Sequence, residues 1–132
     1  MKIGKMNPKK SYVRIAILSC LLLLFLSSNV SAQHYRDIFK SKFSISIDSA
    51  RVFSEQLIQS NQLEERAFGL ITKGYLIAKK GDFEVARKFY EEGLNEIEKI
   101  KNRTLKDQEK AHGLYYYSMY FLIQHRLKEA QP

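Results

Sequence analysis

The side chains of this chain that could do chemistry are few and scattered. His34, His112 and His125 lie far apart, and no two histidines have the i, i+4 spacing that places a metal pair on one helix face. Cys20 is the sole cysteine. It sits inside an apolar run, where a thiol serves as a small hydrophobic filler. The paired carboxylates Glu64-Glu65 and Glu91-Glu92 stand among lysines and arginines, as on solvated faces. No glycine-rich phosphate loop follows a strand. The sequence therefore predicts no enzyme: no catalytic residue, no metal and no cofactor. Its reactive vocabulary is that of recognition. Tyr115, Tyr116, Tyr117 and Tyr120 fall within little more than one helical turn, so at least one must face outward. Clustered tyrosines suit an interface, being large and amphipathic with few rotors, although packing of an aromatic-rich helix uses them equally.

These residues must be positioned by helices. Proline occurs only at Pro8 and Pro132, so no proline breaks a helix between them. The nearest approach to strand alternation is SISI at residues 44–47, which is too short to stand alone. Leu63, Ala67, Leu70, Gly74 and Ile77 share one helical stripe, and Ala86, Tyr90, Gly93, Ile97 and Ile100 repeat the same offsets. Between them Gly81 suits the left-handed residue that closes a helix, and Asp82 suits the N-cap of the next. Two helices joined by so short a turn are expected to lie antiparallel. Glu84 with Lys88, and Arg87 with Glu91, mark the wet side of the second helix. Its end is expected near Ile100. Upstream, residues 48–60 read as an amphipathic helix with Asp48 as cap, and residues 35–42 as a shorter, weaker one. Downstream, residues 102–104 read as a turn, and a helix follows from 105 to about 124. The Asn102-Arg103-Thr104 triplet is also a glycosylation sequon, of use only in a eukaryotic secretory pathway.

The chain repeats itself. Residues 65–70 (ERAFGL) match residues 109–114 (EKAHGL) at a shift of 44. Carried on, Gly74 falls on Ser118, Ile77 on Phe121 and Ala86 on Ala130. Ala50 is placed as the counterpart of Ala86 in an earlier unit. With Leu70, Gly74, Ala86 and Tyr90 at the bulky, glycine, alanine and aromatic positions, and Gly81-Asp82-Phe83 at the turn, the stretch resembles a tetratricopeptide repeat (TPR). Lys73, Ile77 and Glu98 depart from that pattern. In general composition the chain resembles exported repeat proteins of Bacteroidetes-type bacteria, some of which continue into a membrane helix and a regulatory domain. The resemblance implies an all-α fold of antiparallel helix pairs stacked as a short α-solenoid. Its units would be a partial one at about 34–62, a complete one at about 63–103 and an unfinished one at about 107–132. Leu70, Gly74, Gly81, Ala86, Tyr90 and Gly93 would pack the repeat.

The resemblance also implies a concave face built from the first helix of each unit. Phe68, Ile71 and Tyr75, with Lys79 for a carboxylate, would line it, together with His112, Tyr115 and Met119 at the 44-residue shift. The partner would be a protein or peptide. These same residues would otherwise serve as core against neighbouring helices or the N-terminal segment. Two alternatives to a peptide scaffold stand: the sensor portion of a longer membrane-bound transcriptional regulator or histidine kinase, and a structural self-association module without a ligand groove. Ala111, Leu114, Ser118 and Phe121 are expected to keep one side open to water, because the last helix lacks a second partner. Truncation, self-association and a different fold-back each account for that.

Charge and targeting complete the outline. The net charge of +8 suggests nucleic acid only at first sight. Lys2, Lys5, Lys9, Lys10 and Arg14 supply five of the 22 basic residues, and no acid occurs before residue 33. The remaining 17 basic residues face 14 acidic ones, a balance of +3. Interleaved charges of that kind do not make a nucleic-acid interface. Residues 1–32 read as a secretory signal peptide. It has a basic start, an apolar run of 12 at residues 15–26, and Val30-Ser31-Ala32 as the cleavage site, leaving residues 33–132 as the mature domain. An uncleaved anchor is the alternative, and only then would a membrane be a partner. A bacterial periplasmic or extracellular location follows. The mature chain would carry no cysteine, so its stability must come from packing.

Overall fold

The computed structural model describes residues 8–130, the side chains of residue 8 and of residues 24–33 excepted. The side chains at the proposed cleavage site, Ala32 included, and the basic residues Lys2 and Lys5 lie outside that description. All regular structure among the described residues is helical. In chain order the helices are α1 (Pro8–Ile45), α2 (Ile47–Ile58), α3 (Leu63–Lys79), α4 (Phe83–Glu98) and α5 (Arg103–Glu129). The chain divides into two compact units, Met1–His34 and Tyr35–Pro132. In the first, the apolar side chains of Val13, Ile17, Leu18, Leu22 and Leu23 are exposed. No helix among the described residues is long and apolar enough to cross a membrane.

Local sequence explains the helix ends in the second unit. Residues 35–42 are not a separate helix but the end of α1, which runs on to Ile45 because neither proline nor glycine interrupts it. A single extended residue, Ser46, then turns the chain. Its hydroxyl accepts the Ser49 backbone N–H at 3.0 Å and so caps α2. Asp48, expected as the cap, sits instead in the first turn, where its charge complements the helix dipole. Gly81 takes φ +91° at the end of α3, the only positive φ among the described residues. Asp82 caps α4 by accepting the Val85 N–H at 3.2 Å. Asn102 caps α5 by accepting the Leu105 N–H at 3.0 Å. The expected turn at 102–104 therefore shrinks to one residue, and α5 extends to Glu129 rather than ending near 124. On α4 the wet-face pairing centres on Arg87, which reaches Glu84 at 3.2 Å and Glu91 at 4.0 Å. That helix stops at Glu98, and Ile100 is buried in the connection that follows.

Close approach between helices is bought with small residues. A Cβ at Gly74 would lie 2.9 Å from the Ala86 carbonyl oxygen, and one at Gly93 would lie 3.1 Å from the Ala67 carbonyl oxygen. Residue 74 thus faces 86 while 67 faces 93, so α3 and α4 run antiparallel. Arg66 spans the far end of the pair, with its guanidinium 3.0 Å from Glu96. Gly69 abuts Leu57 and Ile58 of α2, and Gly113 abuts Leu94 and Ile97 of α4. The two glycines are the matched positions of the 44-residue echo, and each receives the helix before it. Between α2 and α3 the buried hydroxyls of Ser54 and Thr72 are 2.8 Å apart. Between α4 and α5 the hydroxyl of Tyr90 donates to the Tyr116 carbonyl at 2.9 Å, and that of Tyr120 to the Phe83 carbonyl at 3.3 Å. The core runs through Ala67, Ile71, Ala78, Ala86, Tyr90, Ile97, Ile100 and Tyr120. Each face of α3 is engaged: α2, α4 and α5 all pack on it.

A candidate binding site on the α1–α3–α5 face

The last three turns of α1 place Tyr35, Phe39 and Phe43 at four-residue intervals, one stripe of the helix. Tyr35 and Phe39 are buried. Tyr35 and Phe39 pack on Phe68 with ring centroids 5.0 and 5.6 Å away, and Phe43 packs on Tyr75 at 5.9 Å. Tyr116 of α5 closes the layer against Phe68 at 6.1 Å and Tyr75 at 5.3 Å. Edge-to-face and tilted geometries dominate, as ring quadrupoles favour.

A polar clasp pins this segment. The Tyr35 hydroxyl donates to the Glu109 carboxylate at 2.7 Å, and the Arg36 guanidinium donates to the same oxygen. Glu109 is 2% exposed, so its charge has left water almost completely. Burial pushes its carboxyl above the usual range, and the bonds from Tyr35 and Arg36 only partly offset that. Burial and the neighbouring Glu109 likewise raise the Tyr35 phenol.

Two adjoining cavities border this aromatic layer. The larger, 420 Å³, is walled by Phe68, Tyr115 and Tyr116 and carries Arg36, Lys40 and His112 at its polar side, with Ala111 completing it. The smaller, 220 Å³, lies between Phe39 and Phe43 of α1, Tyr75 of α3 and Met119 of α5. Lys40, Tyr115 and Tyr116 border both. The positive charge of the larger cavity registers on His112. Its imidazole is held below the ordinary value of 6.5 by burial and by the cations Arg36 and Lys40. Burial and Tyr75 push the Tyr116 phenol up to about 12. The larger cavity therefore sets aromatic rings and an imidazole that resists protonation beside two cations.

The residues expected on a concave face take different places. Phe68, His112 and Tyr115 line the larger cavity, and Tyr75, Tyr115 and Met119 the smaller. Lys79 is exposed and stands 5.5 Å above the rings of both Phe43 and Tyr75. Ile71 lies deeper, 2% exposed, with its side chain against the positions of Gly93 and Gly113. Of the tyrosine cluster, Tyr115 is 60% exposed, Tyr116 and Tyr117 are half-buried, and Tyr120 is buried. Leu114, Phe121 and Leu122 are exposed on α5.

Sequence reasoning missed Arg36, Phe39, Lys40, Phe43 and Glu109. A signal existed for the last. Glu109, Gly113 and Tyr120 share one stripe of α5, so a carboxylate stood in line with the core and needed a buried donor. The aromatic spacing of residues 35, 39 and 43 likewise marked an apolar face.

Among the described residues no group of three His, Cys, Asp or Glu side chains could hold a metal ion. Comparison with protein-family models, with curated proteins and with solved structures finds no match to this chain.

Proposed function

We propose that this chain is an exported, tetratricopeptide-like helical scaffold that binds a protein or peptide and catalyses nothing. One observation carries the reading: two adjoining cavities, walled by aromatic rings and sharing Lys40, Tyr115 and Tyr116, open on one face of the helical unit. Rigid aromatic walls with a few cations at their edge recognise side chains at low entropic cost. The repeat architecture is supported by the α3–Gly81–α4 hairpin and by the echo of Gly69 at Gly113, each glycine receiving the preceding helix. The N-terminal sequence supports export, with cleavage after Ala32. Isolating the protein outside the cytoplasm with Gln33 as its first residue would bear that out, and a retained Met1 in the exported fraction would refute cleavage.

Binding is tested by selecting peptides from a random display library on the full chain, then titrating the selected sequences against wild type and Tyr115→Ala. Tyr115 is largely exposed, so its loss leaves the core intact. Selected peptides should weaken by about tenfold or more in the variant, the scale of an interface aromatic. No selectable peptide, or affinity indifferent to Tyr115, would refute the reading.

A second reading is favoured by the exposed side chains of Leu114, Phe121 and Leu122 on α5, which are 51–57% exposed. Such a patch suits self-association. Sedimentation velocity over a hundredfold concentration range separates the two: a mass that stays monomeric removes it.

A further inference from the structure

The cavity beside the clasp has a chemical character more specific than aromatic. Arg36 and Lys40 bring two cations from α1, four residues apart and so on one side of the helix. Arg36 spends part of its donor set on Glu109, yet its Nε is buried and has no hydrogen-bond partner among the described residues. A guanidinium has five N–H donors, and a buried donor without an acceptor costs free energy. Phe68, Tyr115 and Tyr116 supply the apolar wall. We infer that this cavity is a site for a small aromatic carboxylate, the acid held by Arg36 and Lys40 and the ring by Phe68, Tyr115 and Tyr116.

The inference deepens the proposed binding function and rests on this face being a ligand surface. The pairing of charge and ring decides the class. A bare inorganic anion would leave the aromatic wall wet, and a neutral ring would leave Lys40 and the remaining donors of Arg36 unanswered. A cavity of 420 Å³ also falls in the usual range for small-ligand sites. The acid could be a free aromatic acid or a C-terminal aromatic residue of a peptide, since both offer the same ring and carboxylate. His112 reports on occupancy. The charged groups facing it are Arg36 and Lys40 of α1. Glu109, one turn earlier on α5, is engaged by Tyr35 and Arg36. An anion between those cations and the imidazole offsets the part of the His112 shift that their repulsion adds to burial.

The test titrates the full chain with hydrocinnamate and with its neutral amide, by calorimetry and by NMR of the His112 ring. Hydrocinnamate should bind about tenfold more tightly than the amide, as a charge-assisted contact requires. Its binding should move the His112 titration midpoint upward. Lys40→Gln should erase most of the preference while leaving the amide unaffected. Lys40 is exposed, so this variant keeps the fold, whereas Arg36 also holds the clasp. Equal binding of acid and amide, no binding of either, an unmoved His112, or indifference to Lys40→Gln each overturns the inference. Peptides ending in phenylalanine, with free or amidated carboxyl, separate the two sources. If hydrocinnamate passes these criteria and no peptide binds, the inference stands and the peptide-scaffold reading falls. If selected peptides bind without regard to charge, the reading stands and the inference falls.

Discussion

The hydroxyl of Tyr35 donates to the carboxylate of Glu109 at 2.7 Å, across 74 residues of sequence. With the Arg36 guanidinium on the same oxygen, this contact ties the end of α1 to the start of α5. It is the polar anchor of an otherwise aromatic layer. A buried ion pair of this kind is costly to break on one side, because the remaining charge stays desolvated. Glu109→Ala should therefore destabilise the protein by about 3–5 kcal/mol. Glu109→Gln, which keeps an acceptor for Tyr35, should cost clearly less. Urea unfolding of the two variants checks the order. Equal losses would mean that loss of the negative charge, and not the cavity or the lost acceptor, sets the cost.

His112 predicts a pH dependence with a definite sign. Its folded-state proton affinity lies below the ordinary 6.5, through burial and the cations Arg36 and Lys40. The unfolded chain then binds a proton that the folded one refuses. Its stabilising contribution is present above pH 6.5 and is lost as pH falls through the lower, folded value. Glu109 acts in the opposite sense, since its raised carboxyl favours the fold at acid pH and loses that contribution as pH rises. Glu96, lowered first by Lys99 and then by Arg66, acts only below 4.5. The difference between wild type and His112→Asn isolates the imidazole. Wild type should lose more stability than the variant between about pH 7 and 5, and parallel curves would exclude the effect.

The hydroxyls of Ser54 and Thr72 satisfy one another between α2 and α3 at 2.8 Å, both fully buried. Each hydroxyl has one proton, so one donates to the other while the acceptor donates within its own helix, Thr72 to the Phe68 carbonyl or Ser54 to the Ala50 carbonyl. Ser54→Ala or Thr72→Val alone should cost about 1 kcal/mol. The double variant should cost less than the sum, because the second change removes a group the first left short of a partner. A chemical-denaturation cycle gives the coupling, and strict additivity would show that the contact contributes nothing of its own.

Glycines 74 and 113 both sit in helices, yet they predict different outcomes on substitution by alanine. At Gly74 the new Cβ would meet the Ala86 carbonyl oxygen at 2.9 Å, which is backbone and cannot swing aside. Overpacking of that kind costs about 1–3 kcal/mol, against a helix-propensity gain of about 1. At Gly113 the nearest atoms are the Cδ ends of Ile71 and Leu94, both at 3.2 Å. Those ends can shift, so Gly113→Ala should be near neutral. Thermal melts of the pair decide it. A Gly74→Ala protein as stable as wild type would mean that α3 and α4 separate easily.

The elements were largely legible in the sequence. The two stripes ending at Ile77 and Ile100, the left-handed Gly81 and the Asp82 cap follow from local rules, and local rules act on neighbours that any reader of the chain can see. The cap of α2 was misjudged by two residues because Ser46 and Asp48 are both good caps. Which one wins depends on where α1 ends, and the chain stays helical to Ile45. The site was legible only in part. Periodicity puts Phe68, Ile71 and Tyr75 on one face of α3, and the 44-residue shift puts His112, Tyr115 and Met119 on the matching face of α5. Counting cannot say what covers these faces.

Residues 35–45 of α1 cover part of the α3 face, and that is a tertiary decision. Tyr35, Phe39 and Phe43 find Phe68, Tyr75 and Tyr116 at separations in sequence that no helical period encodes. By itself the sequence determined most of the helices, the turn and cap at Gly81-Asp82, and the close approach at Gly74 and Gly93. Only the folded chain brought Arg36 to Glu109, buried Ile71 beyond reach and left Arg36, Lys40 and His112 around a cavity. The physical reason is that burial of a charge or a ring depends on the helix that arrives opposite it.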